Sequence, residues 1–241
     1  MKSPVWVGLV AGSAACGGLL ALPGAEQEFV RYTTTLEGRT KGQRHNAIRS
    51  AARIDGAVIP PRGVFSFNER VGTFTQDQGY RKAPVSYNGQ LITTWGGGVC
   101  QTSSTLYNAA LAAGMRIVER HAHQFAPAYV PPGRDAAVAY RNIDLRFLNP
   151  YDFPVRIRAR VRDRRLEVAF ASAHMPKVLP SVVADVRRVE EPLTLAVLPS
   201  SARGTPGKAG FEVVVYRMWP DRKERVSKNH YPPMHRLRAE R

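Results

Sequence analysis

Residues 96–114 read GGGVCQTSSTLYNAALAAG: three glycines run into a cysteine, and a stretch of small, helix-favouring side chains follows. Glycine tolerates positive φ and close backbone approach, so the run predicts a tight turn. From Cys100 onward the residues predict a helix of about four turns, closed by Gly114. Leu106, Ala110 and Ala113 share one face at i, i+4, i+7, which predicts a closely packed, buried helix. Cys100 then falls at or beside the first turn. Unpaired backbone N–H groups and the helix dipole there favour negative charge, and a thiol so placed ionises more readily. Cys100 is therefore the candidate nucleophile. The plainer alternative is a buried cysteine acting as a small hydrophobe.

The chain has 241 residues, enough for one domain with a core that needs no disulfides. Hydrophobic content of 44% and charged content of 22% are those of a globular protein. The balance is strongly basic, with 35 Lys plus Arg against 19 Asp plus Glu, formally +16. Such a chain is drawn to polyanions. Nucleic acid is a poor fit, because no recognised module or basic-aromatic interleaving is present. The glycines lack the Lys-Ser/Thr of a phosphate-binding loop, and one usable cysteine with scattered histidines makes no metal site. No cofactor is implied.

Lys2 precedes an apolar run over residues 5–22, followed by Pro23, Gly24 and Ala25. These read as a secretory signal over residues 1–25, with a membrane anchor through residues 5–22 as the second reading. Either implies an exported protein in the periplasm or cell wall. Cys16 falls in this segment, so Cys100 would be the only thiol of the mature chain.

Downstream, residues 45–55 carry a helical pattern in Ile48, Ala51, Ala52 and Ile54, closed by Gly56. Residues 68–80 read as a polar loop, and Asn88 and Gly89 mark a hairpin between strands. Residues 117–123 (IVERHAH) read as a strand placing His121 and His123 on one face. Residues 143–148, 155–161 and 166–170 read as strands. In the second, Val155, Ile157, Ala159 and Val161 alternate with Arg156, Arg158, Arg160 and Arg162, an antiparallel strand with one wet face. Residues 176–209 are looser, with extended pieces at 181–186 and 193–198. A strand follows at 211–218, and the tail from Arg222 is basic and polar.

A thiolate needs a base, and the base needs an orienting group. His121 and His123 are the candidates for the base, and Asp135 and Asp144 are the available carboxylates.

Several segments together resemble the VanW family: PRGVFSFNERVG (61–72), GYRKAPV (79–85), GGGVCQTSSTLYNAAL (96–111), ERHAHQ (119–124) and YVPPGRDAAVAY (129–140). They occur in the family's order and spacing, and the resemblance spans roughly residues 32–170. It implies a bacterial envelope protein, associated by name with vancomycin-resistance loci. Some members are understood to be L,D-transpeptidases of peptidoglycan that use the cysteine of this motif. Carried over, Cys100 is the nucleophile on a tetrapeptide stem. His123 is the general base, with His121 second, and Asp135 is the orienter. The backbone N–H groups of Cys100 and Gln101 form the oxyanion hole. Gly97, Gly98, Gln101, Ser103, Ser104, Tyr107 and Arg134 line the substrate. Relatives often carry a long region between the membrane segment and the core; its lack here puts substrate capture on the core or its basic surface.

The expected fold is α+β: a buried helix with an N-terminal cysteine, packed on an antiparallel sheet. Its expected parts are a signal or anchor at 1–25, a core domain at 30–172 and a β-rich extension at 173–241. The expected function is a cysteine acyl transferase or hydrolase on peptidoglycan stems. The alternative is a non-catalytic protein binding peptidoglycan or another anionic envelope polymer, with a structural cysteine.

Overall fold

The computed structural model describes residues 25–87, 90–197 and 207–239. The expected signal or anchor, Cys16, the Asn88 and Gly89 turn and Leu198 lie outside the described residues. In chain order the elements are β1 (Gln27–Thr35), α1 (Lys41–Ile54), β2 (Val58–Ile59), β3 (Val64–Ser66), α2 (Phe67–Val71), β4 (Lys82–Tyr87), β5 (Gln90–Trp95) and α3 (Val99–Ala112). There follow β6 (Arg116–Glu119), β7 (Arg146–Leu148), β8 (Val155–Arg162), β9 (Arg165–Ser172), β10 (Ser181–Glu190), β11 (Thr194–Val197), β12 (Gly210–Met218), β13 (Lys223–Tyr231) and β14 (Arg236–Ala239). The fold is α+β, with few helices among mostly antiparallel sheets.

The cysteine helix α3 packs across β1 and β9 and beside α1. Its second half is apolar and buried, with Leu106, Ala109, Ala110 and Leu111 fully covered. Its first half is polar and equally buried, because every hydroxyl there has a partner. Thr105 Oγ1 donates to the Gln101 carbonyl at 2.7 Å, and Ser104 Oγ to the Cys100 carbonyl at 2.7 Å. Ser50 of α1 donates to Thr102 Oγ1 at 2.8 Å, joining the two helices.

The helix α1 starts four residues before the 45–55 pattern, at a capping box. Thr40 Oγ1 accepts from the Gln43 N–H at 3.2 Å, while Gln43 Oε1 accepts from the Thr40 N–H at 3.1 Å. The cap overrides the polar composition of residues 41–44. Part of the loop expected at 68–80 is also helical: α2 is capped by Ser66 Oγ, which accepts from the Glu69 N–H at 3.1 Å.

The main sheet runs β1-β9-β8-β2. Val155 and Ile157 of β8 are fully buried and Ala159 nearly so, while Arg158, Arg160 and Arg162 face outward. The arginine row is answered by carboxylates: Glu26 takes Arg156 and Arg158, and Glu167 takes Arg160 at 2.9 Å. β8 and β9 are joined at Asp163 and Arg164, both at positive φ, as a two-residue hairpin turn requires.

The strand expected at 117–123 ends at Glu119, and the one at 143–148 begins at Arg146. The basic tail beyond Arg222 is largely strand, consistent with a β-rich C-terminus. It forms β13, which pairs with β12, and β14, which runs parallel to β11. Val213, Val215 and Tyr231 of the C-terminal sheet belong to the same apolar core as α3 and the main sheet.

Candidate active site

The glycine turn carries the site to its place. Gly98 has φ +106° and serves as the N-cap of α3 without a side-chain cap bond. A Cβ there would run into the Gln43 carbonyl, and one at Gly97 would come within 2.6 Å of the Ala83 oxygen. Asn46 of α1 holds the turn: its Nδ2 donates to the Gly97 carbonyl and the Arg81 carbonyl, each at 2.8 Å. Gly97 and Gly98 were expected to admit substrate. The space a Cβ would fill at each is taken by α1 or β4, because only glycine lets those backbones approach so closely.

Cys100 stands in the first turn of α3 and is partly exposed. Its Sγ donates to the Val138 carbonyl at 3.5 Å. The Gln101 N–H is already spent on the Gly98 carbonyl at 3.1 Å. Of the two amides expected to form an oxyanion hole, only that of Cys100 lacks an acceptor among the described residues.

His123 comes from the segment after β6, and its side chain is 19% exposed. Its Nδ1 donates to Asp135 Oδ2 at 2.6 Å, and its own backbone N–H donates to the same oxygen at 2.7 Å. Nε2 is left free to serve the thiol. Burial disfavours the charged imidazole, but the Asp135 bond and the neighbouring Cys100 outweigh it and push its pKa up to about 10. Burial likewise opposes a Cys100 thiolate, yet the His123 hydrogen bond and charge hold the thiol below its ordinary value. Each partner therefore favours the charged form of the other.

Asp135 is fully buried, and four donors saturate its carboxylate. Besides the two from His123, Arg120 Nη2 donates to Oδ1 at 2.9 Å and Tyr231 Oη donates to Oδ1 at 2.5 Å. Burial works against its charge, but His123 and Arg120 keep the carboxyl below the usual range. Arg120 also donates to the Asp135 carbonyl at 2.6 Å and pairs with Asn229 of β13.

The alternates lie elsewhere. The chain leaves its strand after Glu119, so the two histidines do not share a face. His121 is 45% exposed and bonds Glu119 at 3.0 Å. Asp144 takes Ser66 Oγ at 2.5 Å and the Asn68 and Leu145 N–H groups, holding the turn into α2.

Most expected substrate contacts are also structural. Gln101 is buried and ties α3 to β1, donating to Thr34 Oγ1 at 3.1 Å and the Thr35 carbonyl at 2.7 Å. Ser103 Oγ donates to the Ala136 carbonyl at 2.7 Å, and Ser104 Oγ accepts from the Ala136 N–H at 2.9 Å. They fasten the Asp135 segment to the helix. Tyr107 is fully buried under the Arg120 guanidinium. Arg134 lies over the Tyr32 ring, 5.3 Å from its centre. Gln101, Ser103, Ser104 and Tyr107 are buried in these contacts, whereas Arg134 is only partly buried.

Three contributors escaped sequence reasoning. Arg120 sits inside the ERHAH stretch, and its place beside the histidines is the only signal it gives. Tyr231 is 96 positions from Asp135 and gives none. Tyr129 lies near the thiol: its hydroxyl is pushed well above its ordinary value, first by burial and then by Cys100. The Arg39 guanidinium sits 5.0 Å above its ring centre.

The family described as VanW like protein matches residues 42–171. An uncharacterized protein of Bacillus subtilis (strain 168), YoaR, is 45% identical over 134 residues, covering 56% of this chain and 44% of its own length. The vancomycin B-type resistance protein VanW of Enterococcus faecalis (strain ATCC 700802 / V583) is 30% identical over 122 residues, covering 48% of this chain and 44% of its own. The chain thus spans less than half the length of these relatives. No solved structure matches it. All three central residues, Cys100, His123 and Asp135, fall inside the matched segment.

Proposed function

The chain belongs to the VanW family, and from that premise we propose that it is an exported, cysteine-dependent acyl transferase of the L,D-transpeptidase kind, acting on peptidoglycan stem peptides. The observation that carries this is the relay Cys100–His123–Asp135. A partly exposed thiol at an uncapped helix start faces an imidazole whose far nitrogen is held by a buried carboxylate. This is the arrangement an acyl-transferring thiol requires.

In the proposed reaction the Cys100 thiolate attacks the carbonyl joining the third stem residue to the terminal D-alanine. The tetrahedral oxygen takes the open N–H of Cys100 and the positive end of α3. His123 gives its proton to the departing D-alanine amine as the C–N bond breaks, leaving the third residue as a thioester on Cys100. The amine of a second stem then attacks the thioester and passes its proton to His123. The amide forms, and the thiolate with its imidazolium is restored. Asp135 touches neither substrate nor thiol; it orients His123 and stabilises its charge.

The test is to incubate the protein with disaccharide tetrapeptide stems and follow it by mass spectrometry. The expected result is release of D-alanine with an acyl adduct on Cys100, both absent in Cys100→Ala. Folded protein that forms no adduct and releases nothing would favour a non-catalytic envelope-binding protein with a structural cysteine.

A further inference from the structure

The Asp135 carboxylate is not completed by the family-matched segment. Its Oδ1 takes the hydroxyl of Tyr231, the last residue of β13 and 60 positions beyond the match at residue 171. That hydroxyl also accepts from the Gly133 N–H at 3.2 Å and from Arg120 Nη2 at 3.3 Å. One buried phenol, 1% exposed, thereby ties together the turn that presents Asp135, the arginine that neutralises it and the carboxylate itself.

The rest of the C-terminal sheet is built to deliver it. Val213 and Val215 of β12 press on Gly133 so closely that a Cβ there would meet them at 2.9 and 2.8 Å. Gly133 holds φ +79°, and both valines are fully buried. Arg120 pairs with Asn229, two residues before Tyr231. At the other end of β12, Arg217 Nη1 donates to the Met115 carbonyl at 2.6 Å, fixing the sheet just beyond α3.

We infer that Tyr231 is a positioning residue of the active site and that the C-terminal sheet is an integral part of it rather than an accessory. Tyr231 has no path to substrate. It acts through Asp135, whose Oδ1 it fixes so that Oδ2 stays on the His123 ring. A carboxylate held at both oxygens cannot rotate away when His123 gives up its proton, so the imidazole keeps its aim at the thiol. The inference rests on the acyl-transfer reading only in calling Cys100 and His123 a reacting pair.

The test compares Tyr231→Phe with the unaltered full chain by nitrogen-15 NMR of the histidine side chains and by stem-peptide turnover. The phenylalanine keeps the buried ring and removes only the hydroxyl. The His123 Nδ1 proton is expected to exchange with solvent about tenfold faster, the scale of one lost hydrogen bond. The kcat should fall by a similar factor with KM unchanged. Tyr216→Phe, which removes a β12 hydroxyl bonded to Arg187, should leave both alone. If Tyr231→Phe does not fold, Asn229→Ala removes one of the two bonds by which β13 holds Arg120 and should speed the same exchange by a smaller factor.

An unchanged Nδ1 exchange in the folded variant overturns the inference, whatever happens to melting temperature. If the full chain turns over no stem peptide but the exchange still quickens, the acyl-transfer reading falls and the positioning role stands. If turnover is present and neither quantity moves, the positioning role falls alone.

Discussion

His123 Nδ1 and Asp135 Oδ2 stand 2.6 Å apart, and the same oxygen takes the His123 backbone N–H at 2.7 Å. One carboxylate oxygen therefore fixes both the ring and the chain that carries it. The imidazole is thereby held in one orientation, with Nε2 left to face Cys100.

The first prediction concerns the thiol. Alkylation of Cys100 followed against pH should give an apparent pKa below the ordinary thiol value of 9.0. His123→Ala removes the imidazolium that favours the thiolate and should return the pKa to that value or above. His121→Ala should leave it unchanged, because that ring bonds Glu119. Equal effects of the two alanines would sink the assignment of the base.

Asp135→Asn tests the buried charge. Its carboxylate receives Arg120, Tyr231 and His123 with no solvent access. An amide replaces one of the two accepting oxygens with an NH2 donor and leaves Arg120 buried without a counter-charge. Breaking such a pair costs about 3–5 kcal/mol. The urea midpoint should fall accordingly, and turnover should be lost in whatever fraction remains folded.

The pair also makes stability depend on pH in a way whose sign can be worked out. Where the folded pair stands as thiolate and imidazolium, it holds one proton. Below the ordinary imidazole value of 6.5 the unfolded pair holds two, so stability rises with pH. Above the ordinary thiol value of 9.0 the unfolded pair holds none, so stability falls as pH climbs toward the folded His123 value of about 10. Between the two the proton counts match and the contribution is flat. The stability difference between the unaltered chain and a Cys100→Ala/His123→Ala variant should trace this plateau with two falling sides. A difference that rises steadily through pH 9 would contradict the ion pair.

Gly98→Ala tests the turn. The substitution places a side chain at φ +106°, against the Gln43 carbonyl. Backbone strain and overpacking each cost about 1–3 kcal/mol. A loss of at least about 2 kcal/mol in chemical denaturation is expected. By contrast Thr40→Ala, which removes only a helix cap, should cost about 1 kcal/mol.

Local sequence was enough for the cysteine helix, the glycine turn and the β8–β9 meander. Each rests on near-neighbour physics: glycine freedom, helix periodicity and period-two alternation of Val and Arg. The same local reading put His123 and Asp135 on the page as candidates. It misjudged the start of α1, because a capping box outweighed composition, and within the β-rich extension it did not delimit the strands of the basic tail, of which β13 pairs with the adjacent β12 and β14 with the more distant β11.

What only the tertiary structure decided is which candidates meet. His121 and His123 are equivalent by spacing, as are Asp135 and Asp144 by type. They part because the chain leaves its strand after Glu119 and because Ser66 and the turn into α2 claim Asp144. Tyr231 reaches Asp135 across 96 positions through the docking of a separate sheet. Residue type sets what a side chain is able to do. Burial and long-range hydrogen bonding set which partner it does it with, and neither is encoded in the residues nearest to it.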